Sequence, residues 1–259
     1  MLAYRETGAE VNGDNVVVLI HGMFGSKGNL MSIARALSER FHIIAIDLPG
    51  HGQSPEMTDM SFSNMAVAVV ELLEYLGHGK VHLIGHSLGG KLAIQLASSH
   101  PHLALSVTVL DIAPVLYTGG NHDSVFSAVA STPLAELASR DDALKHFDGL
   151  GIEQSTSKFI LTNLKRVPEG YAWRINFDLL VENYEKLSQA PVYEQAFSGP
   201  ALVLKGAESA YIQSKHKDAF DTFLPNAEHY VIAGTGHWLH AEKPELVEEH
   251  IGKFLAKLV

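Results

Sequence analysis

The chain has no cysteine. Disulfides, thiolate metal sites and a cysteine nucleophile are therefore excluded. Positive charge is scarce as well: 19 Lys and Arg stand against 29 Asp and Glu, for a net charge of −10. Such a balance gives no general attraction to nucleic-acid phosphates. No apolar run approaches the ~18 residues of a membrane span. The first ten residues carry neither a basic n-region nor an apolar h-region, so no secretory signal is expected. Internal repeats and low-complexity tracts are lacking too. The expectation is a soluble, cytoplasmic protein with no nucleic-acid partner and no membrane span. What is present is a chain of 259 residues, 46% of them hydrophobic. That is enough for one large domain, or for a core with an insertion.

Short apolar runs alternate with helical patterns. Val16–Ile20, Phe41–Ile46, Lys80–Gly85 and Leu105–Leu110 read as strands, the first being five apolar residues in a row. Runs of this kind suit strands buried on both faces, as in a parallel sheet. Leu2–Thr7 reads as a further short strand, followed by a turn-rich connection from Gly8 to Asn15. Helices are expected near Asn29–Arg40, over Ser61–Leu76 and behind the third run as far as Ser99. The rhythm breaks between Val115 and Ser198, where only helical patterns are found: Asp123–Ala130, Pro133–Ala138, Ala143–Gly149, Glu153–Leu164 and Phe177–Leu187. Strands resume at Ala201–Lys205 and Ala227–Ala233, with a helix between them near Ser214–Phe223, and an amphipathic helix closes the chain from Pro244. This order predicts an α/β fold with right-handed crossovers.

The chemistry concentrates at Gly85-His86-Ser87-Leu88-Gly89, a Gly-x-Ser-x-Gly stretch between an expected strand and an expected helix. At such a turn the serine hydroxyl is thrust clear of the sheet, and the glycines remove side chains that would strike backbone. Ser87 is the candidate nucleophile. The N–H of Leu88 would point to where an oxyanion forms, and a second donor is expected from the loop after the first buried strand. Met23 in His21-Gly22-Met23-Phe24 has that place. The base should be a late histidine on a loop after a strand. His237, following Gly234-Thr235-Gly236, is the one so placed among 15 histidines. His240 lies three residues on, and His86 beside the elbow.

With these motifs, together with Asp47-Leu48-Pro49-Gly50-His51-Gly52-Gln53-Ser54, the chain resembles the α/β-hydrolase superfamily over nearly its whole length. More narrowly, it resembles the YbfF-type bacterial esterases. The narrower match rests on His21-Gly22-Met23-Phe24-Gly25-Ser26, Gly89-Gly90-Lys91-Leu92, Leu110-Asp111-Ile112-Ala113-Pro114-Val115 and the run from His237 to Pro244. The resemblance implies an α/β-hydrolase fold: a mostly parallel central sheet flanked by helices, with a helical cap inserted after the strand ending at Asp111. Residues 1–114 and 199–259 would form the core and 115–198 the cap. It also implies a serine esterase acting on short to medium acyl esters, with acyl-CoA thioesters as further substrates. No metal and no organic cofactor are expected.

The acid of the triad departs from the common pattern. Most members of the superfamily carry an aspartate where this chain has Ser209, within Lys205-Gly206-Ala207-Glu208-Ser209. Glu208 is one residue early. Asp111 ends the strand after the elbow's helix, at the sheet edge that carries sites in open α/β folds. Its Asp-Ile-Ala-Pro setting fits the YbfF-type pattern. Asp111 is the preferred acid and Glu208 the alternative, with Ser209 as a fourth residue. Phe24, Trp238 and His86 are expected at the substrate pocket. Lys27, Lys91, Lys158, Lys165 and Arg166 are the cations that could meet CoA phosphates. Two rivals remain: a carbon–carbon bond hydrolase or cofactor-free lyase using the same triad, and a non-catalytic ligand-binding protein. Dehalogenases and epoxide hydrolases of this fold would need aspartate in place of Ser87. The sequence gives no oligomeric state.

Overall fold

The computed structural model describes residues 1–9, 15–118 and 122–259. The strands are β1 (Tyr4–Gly8), β2 (Val16–Ile20), β3 (His42–Ile46), β4 (Val81–His86), β5 (Ala104–Leu110), β6 (Leu164–Val167), β7 (Gly170–Trp173), β8 (Ala201–Gly206) and β9 (Ala227–Ile232). Seven of them form one sheet in the order β1-β3-β2-β4-β5-β8-β9. β1 runs antiparallel to β3, and the other pairings are parallel. The expected strands are thus all found. The connection predicted over Gly8–Asn15 falls mostly outside the described residues.

Alternate residues of the buried strands feed two apolar layers. Val16, Val18 and Ile20 face one cluster, together with Met65, Val69 and Leu72 of α2 (Phe62–Leu76) and Leu92 and Leu96 of α3 (Leu88–Ser99). Val17 and Leu19 face the other, together with Ile33 and Leu37 of α1 (Met31–Leu37) and the carboxyl-terminal helix Pro244–Leu255 through Val247, Ile251 and Phe254. Burial of each such side chain contributes about 1.5–3 kcal/mol. Two-sided burial is why these strands read as unbroken apolar runs.

Between β5 and β8 lie α4 (Asp123–Ala130), α5 (Arg140–Gly149), α6 (Gln154–Ile160), the β6–β7 hairpin and α7 (Phe177–Ser188). Two expectations for this segment need correction. Residues 133–138 form turns rather than a helix. The helix expected to reach Leu164 stops at Ile160, gives one 3-10 turn over Leu161–Asn163 and enters the hairpin. The hairpin strands are short and half-exposed, so they lack the apolar run that marks the core strands. Pro168 at the corner, with Gly170 two residues on, was the available turn signal.

The strand order reverses direction between β2 and β4. Crevices in open α/β sheets form at the carboxyl ends of strands at such a point. The loop after β2 and the turn after β4 therefore face each other.

Candidate active site

The turn after β4 is built by backbone. Ser87 has φ 53° and ψ −120°, a strained conformation for a residue with a side chain. Its N–H donates to the Leu110 carbonyl at 2.9 Å, and its own carbonyl accepts from Gly90 at 2.8 Å. A β-carbon at Gly85 would lie 2.1 Å from the Gly89 carbonyl oxygen, and one at Gly89 would lie 2.2 Å from that of Ile20. Both glycines are therefore sterically required. Leu88 opens α3, so its N–H belongs to the first-turn donors that have no intrahelical acceptor.

Across the switch point, Gly22-Met23-Phe24-Gly25 makes a turn closed by Gly25 N–H to Gly22 O at 3.0 Å. Phe24, third in the turn, has φ 64°. Its N–H donates to His51 Nε2 at 3.2 Å, and its carbonyl accepts from Asn163 Nδ2 at 2.6 Å. His21 steadies the same loop. Its Nδ1–H donates to the Gly22 carbonyl at 2.7 Å, and its Nε2 accepts from Leu48 N–H at 3.0 Å. A ring that both donates and accepts is neutral. Burial agrees, lowering His21 to about 4 and His51 to about 3. Met23 thus sits in a loop fixed on both sides.

Ser87, His237 and Asp111 come together although they are far apart in sequence. His237 Nε2 is 2.9 Å from Ser87 Oγ, and His237 Nδ1 is 2.8 Å from Asp111 Oδ2. Asp111 is fully buried at the end of β5, with φ 52°. Its Oδ1 accepts from Gly206 N–H at 3.0 Å, and its Oδ2 also accepts from the Ser209 hydroxyl. Ser209 Oγ in turn accepts from Tyr211 N–H at 3.2 Å. Of the two carboxylates weighed from sequence, Asp111 meets His237, while Glu208 is exposed on the loop after β8. Tyr211 stacks on the His237 ring with centroids 3.9 Å apart. This contact was not anticipated, and an aromatic two residues past Ser209 was its only sequence signal.

Two cavities open on Ser87. One, of about 40 Å³, is lined by Leu88, Lys91, Ile112, Tyr117, Tyr184 and Leu187, among others. The other, of about 130 Å³, is lined by Phe24, Val125, Ile160, His237 and Trp238, among others. Met23, His122 and Tyr211 belong to both. Phe24 and Trp238 line the second cavity. His86, expected with them, is instead buried, packs against His237, Trp238 and His240, and donates Nε2–H to the His237 carbonyl at 2.9 Å. It supports the loop that carries His237 and lines neither cavity. The physical reason is that His86 ends a fully buried strand, one residue before the turn that presents Ser87.

The five cations do not form one patch. Lys27 pairs with Asp47, Lys158 reaches Gln154 at 3.3 Å, and Arg166 lies over Tyr171. Lys27 and Lys165 line a separate polar cavity that shares no lining residue with the two over Ser87. Among the described residues, Glu6, His42 and His78 have donor atoms within 4.8 Å of one another. They lie at the opposite end of the sheet, where β3 begins. No helix among the described residues is long and apolar enough to cross a membrane.

A family model for the alpha/beta hydrolase fold matches residues 15–244. The chain belongs to the α/β-hydrolase family. Within it, the chain is similar to esterase YbfF of Escherichia coli (strain K12), at 32% identity over 96% of both chains. It is 34% identical to the sn-1-specific diacylglycerol lipase ABHD11 of Mus musculus, over 93% of this chain and 80% of that one. Among solved α/β-hydrolase structures, one described as a marine microorganism esterase superposes with a TM-score of 0.91. It is 30% identical and covers 98% of both chains.

Proposed function

We propose that the protein is a serine carboxylic-ester hydrolase working through an acyl-enzyme. The relay from Ser87 Oγ through His237 to Asp111, at 2.9 and 2.8 Å, carries this reading. His237 takes the Ser87 proton as Oγ attacks the carbonyl carbon, and Asp111 holds the ring in the tautomer that can accept it. The N–H groups of Met23 and Leu88 stabilise the tetrahedral oxyanion. His237 then gives its proton to the leaving oxygen or sulfur. A water deprotonated by His237 cleaves the acyl-enzyme in turn. Ser209 and Gly206 fix the Asp111 carboxylate, each donating to one of its oxygens.

The leaving group must reach His237, so the alcohol side occupies the cavity that His237 and Trp238 line. The acyl side is left with the smaller cavity beyond Leu88. That division supports short acyl chains. Esters and thioesters both fit the chemistry.

The test is labelling with a fluorophosphonate probe, followed by a panel of p-nitrophenyl esters, acyl-CoAs and a β-diketone. We expect labelling that disappears in Ser87→Ala, and turnover of short esters. An unlabelled native protein would return the fold to a binding role. Turnover of the β-diketone alone would make it a carbon–carbon hydrolase.

A further inference from the structure

Lys91 is 2% exposed, although its side chain ends in an ionisable amine. Among the described residues no carboxylate forms an ion pair with it. Two of its three N–H donors go to the carbonyls of Ser188 and Gln189, at 3.0 and 2.7 Å, where α7 ends. The Tyr117 ring lies 4.7 Å from Nζ and the Phe62 ring 5.7 Å. Burial lowers the ammonium to about 7, with no acid offsetting it. A buried cation without a counter-ion is costly, and such groups are ordinarily paired.

Its position gives that cost a use. Lys91 follows Ser87 by four residues on α3, about 6 Å of helix rise, and lines the small cavity that also holds Ser87 and Leu88. His122, the other nitrogen base on that wall, is kept neutral by burial, at about 4. Met23, Leu88, Ile112 and Leu187 supply apolar walls. At about 40 Å³, the space takes on the order of three water-sized groups, each needing roughly 10–15 Å³. A two-carbon spacer and a carboxylate head are of that size.

We propose that Lys91 is the anion subsite of the acyl cavity and selects acyl groups ending in a carboxylate, as in hemiesters of short dicarboxylic acids. The proposal rests on the ester-hydrolase reading and on the acyl group lying in the smaller cavity. The incoming carboxylate takes the third Nζ–H and supplies the missing negative charge. Lys91 is then a specificity-determining residue, while the chemical step stays with Ser87 and His237.

The test compares monoethyl succinate with ethyl butyrate, the same chain ending in methyl, by titrating released acid. The native protein should give the higher kcat/KM on the hemiester. Lys91→Met should lower the ratio of the two values at least tenfold, mainly through KM on the hemiester, and Lys91→Arg should restore much of it. A ratio unchanged in Lys91→Met, or an equal fall on both esters, would show that Lys91 merely ties α3 to α7. A native preference for ethyl butyrate would overturn the proposal without any variant, should Lys91→Met not fold. Absence of both activities in a protein whose Ser87 is not labelled would instead overturn the ester-hydrolase reading.

Discussion

The loops at the carboxyl ends of the core strands and the segment between β5 and β8 are held by different kinds of force. In the loops the backbone sets the geometry. Phe24, Ser87 and Asp111 are the non-glycine residues with positive φ among those described, and all three lie there. Strain of this kind costs on the order of 1–3 kcal/mol per residue and persists only where the surroundings enforce it. Past Asp111, the described residues of the β5–β8 segment have positive φ only at Gly151 and Gly170, and Leu150 and Val181 are about half exposed. It meets the core through side chains: Phe177, Leu179 and Leu180 share an apolar cluster with Leu48 and Met60, and Asn163 bonds to Phe24 O, Asn183 to Met60 N and Lys91 to Ser188 O and Gln189 O. A strained loop has few alternative conformations, so it suits the reacting groups. A segment of ordinary backbone that packs through side chains can change its lining without disturbing the strained turns, and so suits substrate selection.

The largest expected effect tests whether the acid belongs to the strained set. Asp111→Asn should lower kcat on a short ester by on the order of 10³ to 10⁴, because the amide favours the wrong tautomer of His237. Glu208→Gln should leave kcat within about twofold, as expected of an exposed side chain away from the reacting groups. Steady-state kinetics on both variants checks this. Greater loss in Glu208→Gln would move the acid to the loop after β8.

A second test uses pH and the histidines that fix the core loops. His21, His51, His86 and His240 are all lowered by burial, His51 to about 3. A lowered folded value means that the unfolded chain binds the proton first as pH falls. Their stabilising contribution is therefore complete above about pH 6.5 and is lost progressively toward the folded values. Each such histidine costs about 1.4 kcal/mol per pH unit, or about 2 kcal/mol between pH 6.5 and 5. Urea unfolding at pH 7 and pH 5 should show the native protein losing stability on acidification. His51→Asn should lose less by about that amount, and equal losses would mean that His51 is not buried in the neutral form.

The same contrast explains what the sequence revealed. Residues 81–90 announce both a strand and a turn, because the apolar run and the two glycines are local consequences of burial and backbone contact. His237 stands out the same way, by its glycine-flanked place after the last strand. Asp111 is less legible. Ser209 breaks the usual pattern, and only the pairing of β5 with β8 brings Asp111 beside it. The β6–β7 hairpin and the turns at 133–138 depart from the helical expectation because half-exposed elements carry weak periodicity. Asn163 leaves no mark at all: its partner is 139 positions away, and within the expected helix Glu153–Leu164 it reads as an ordinary residue of the last turn.

Asn163 therefore gives the smallest and most discriminating test, being a hydrogen-bonded link between the β5–β8 segment and the strained loops. It is 4% exposed and donates Nδ2–H to the carbonyl of Phe24 at 2.6 Å and to that of Ile160 at 3.3 Å. It touches no reacting atom in the proposed mechanism, so it acts by positioning the Met23 N–H one residue earlier. Direct loss of an oxyanion donor costs about 10² to 10³ in kcat. Loosening the turn that carries one should cost less, about tenfold in Asn163→Ala. If the oxyanion is what the loop serves, the loss should fall on kcat and leave KM nearly unchanged, the pattern of an interaction made in the transition state. Asn163→Asp, which keeps an acceptor but removes the donor, should behave like the alanine variant. A change confined to KM would place Asn163 with the specificity surface, and the division between strained loops and adaptable segment would then lie on the other side of Phe24.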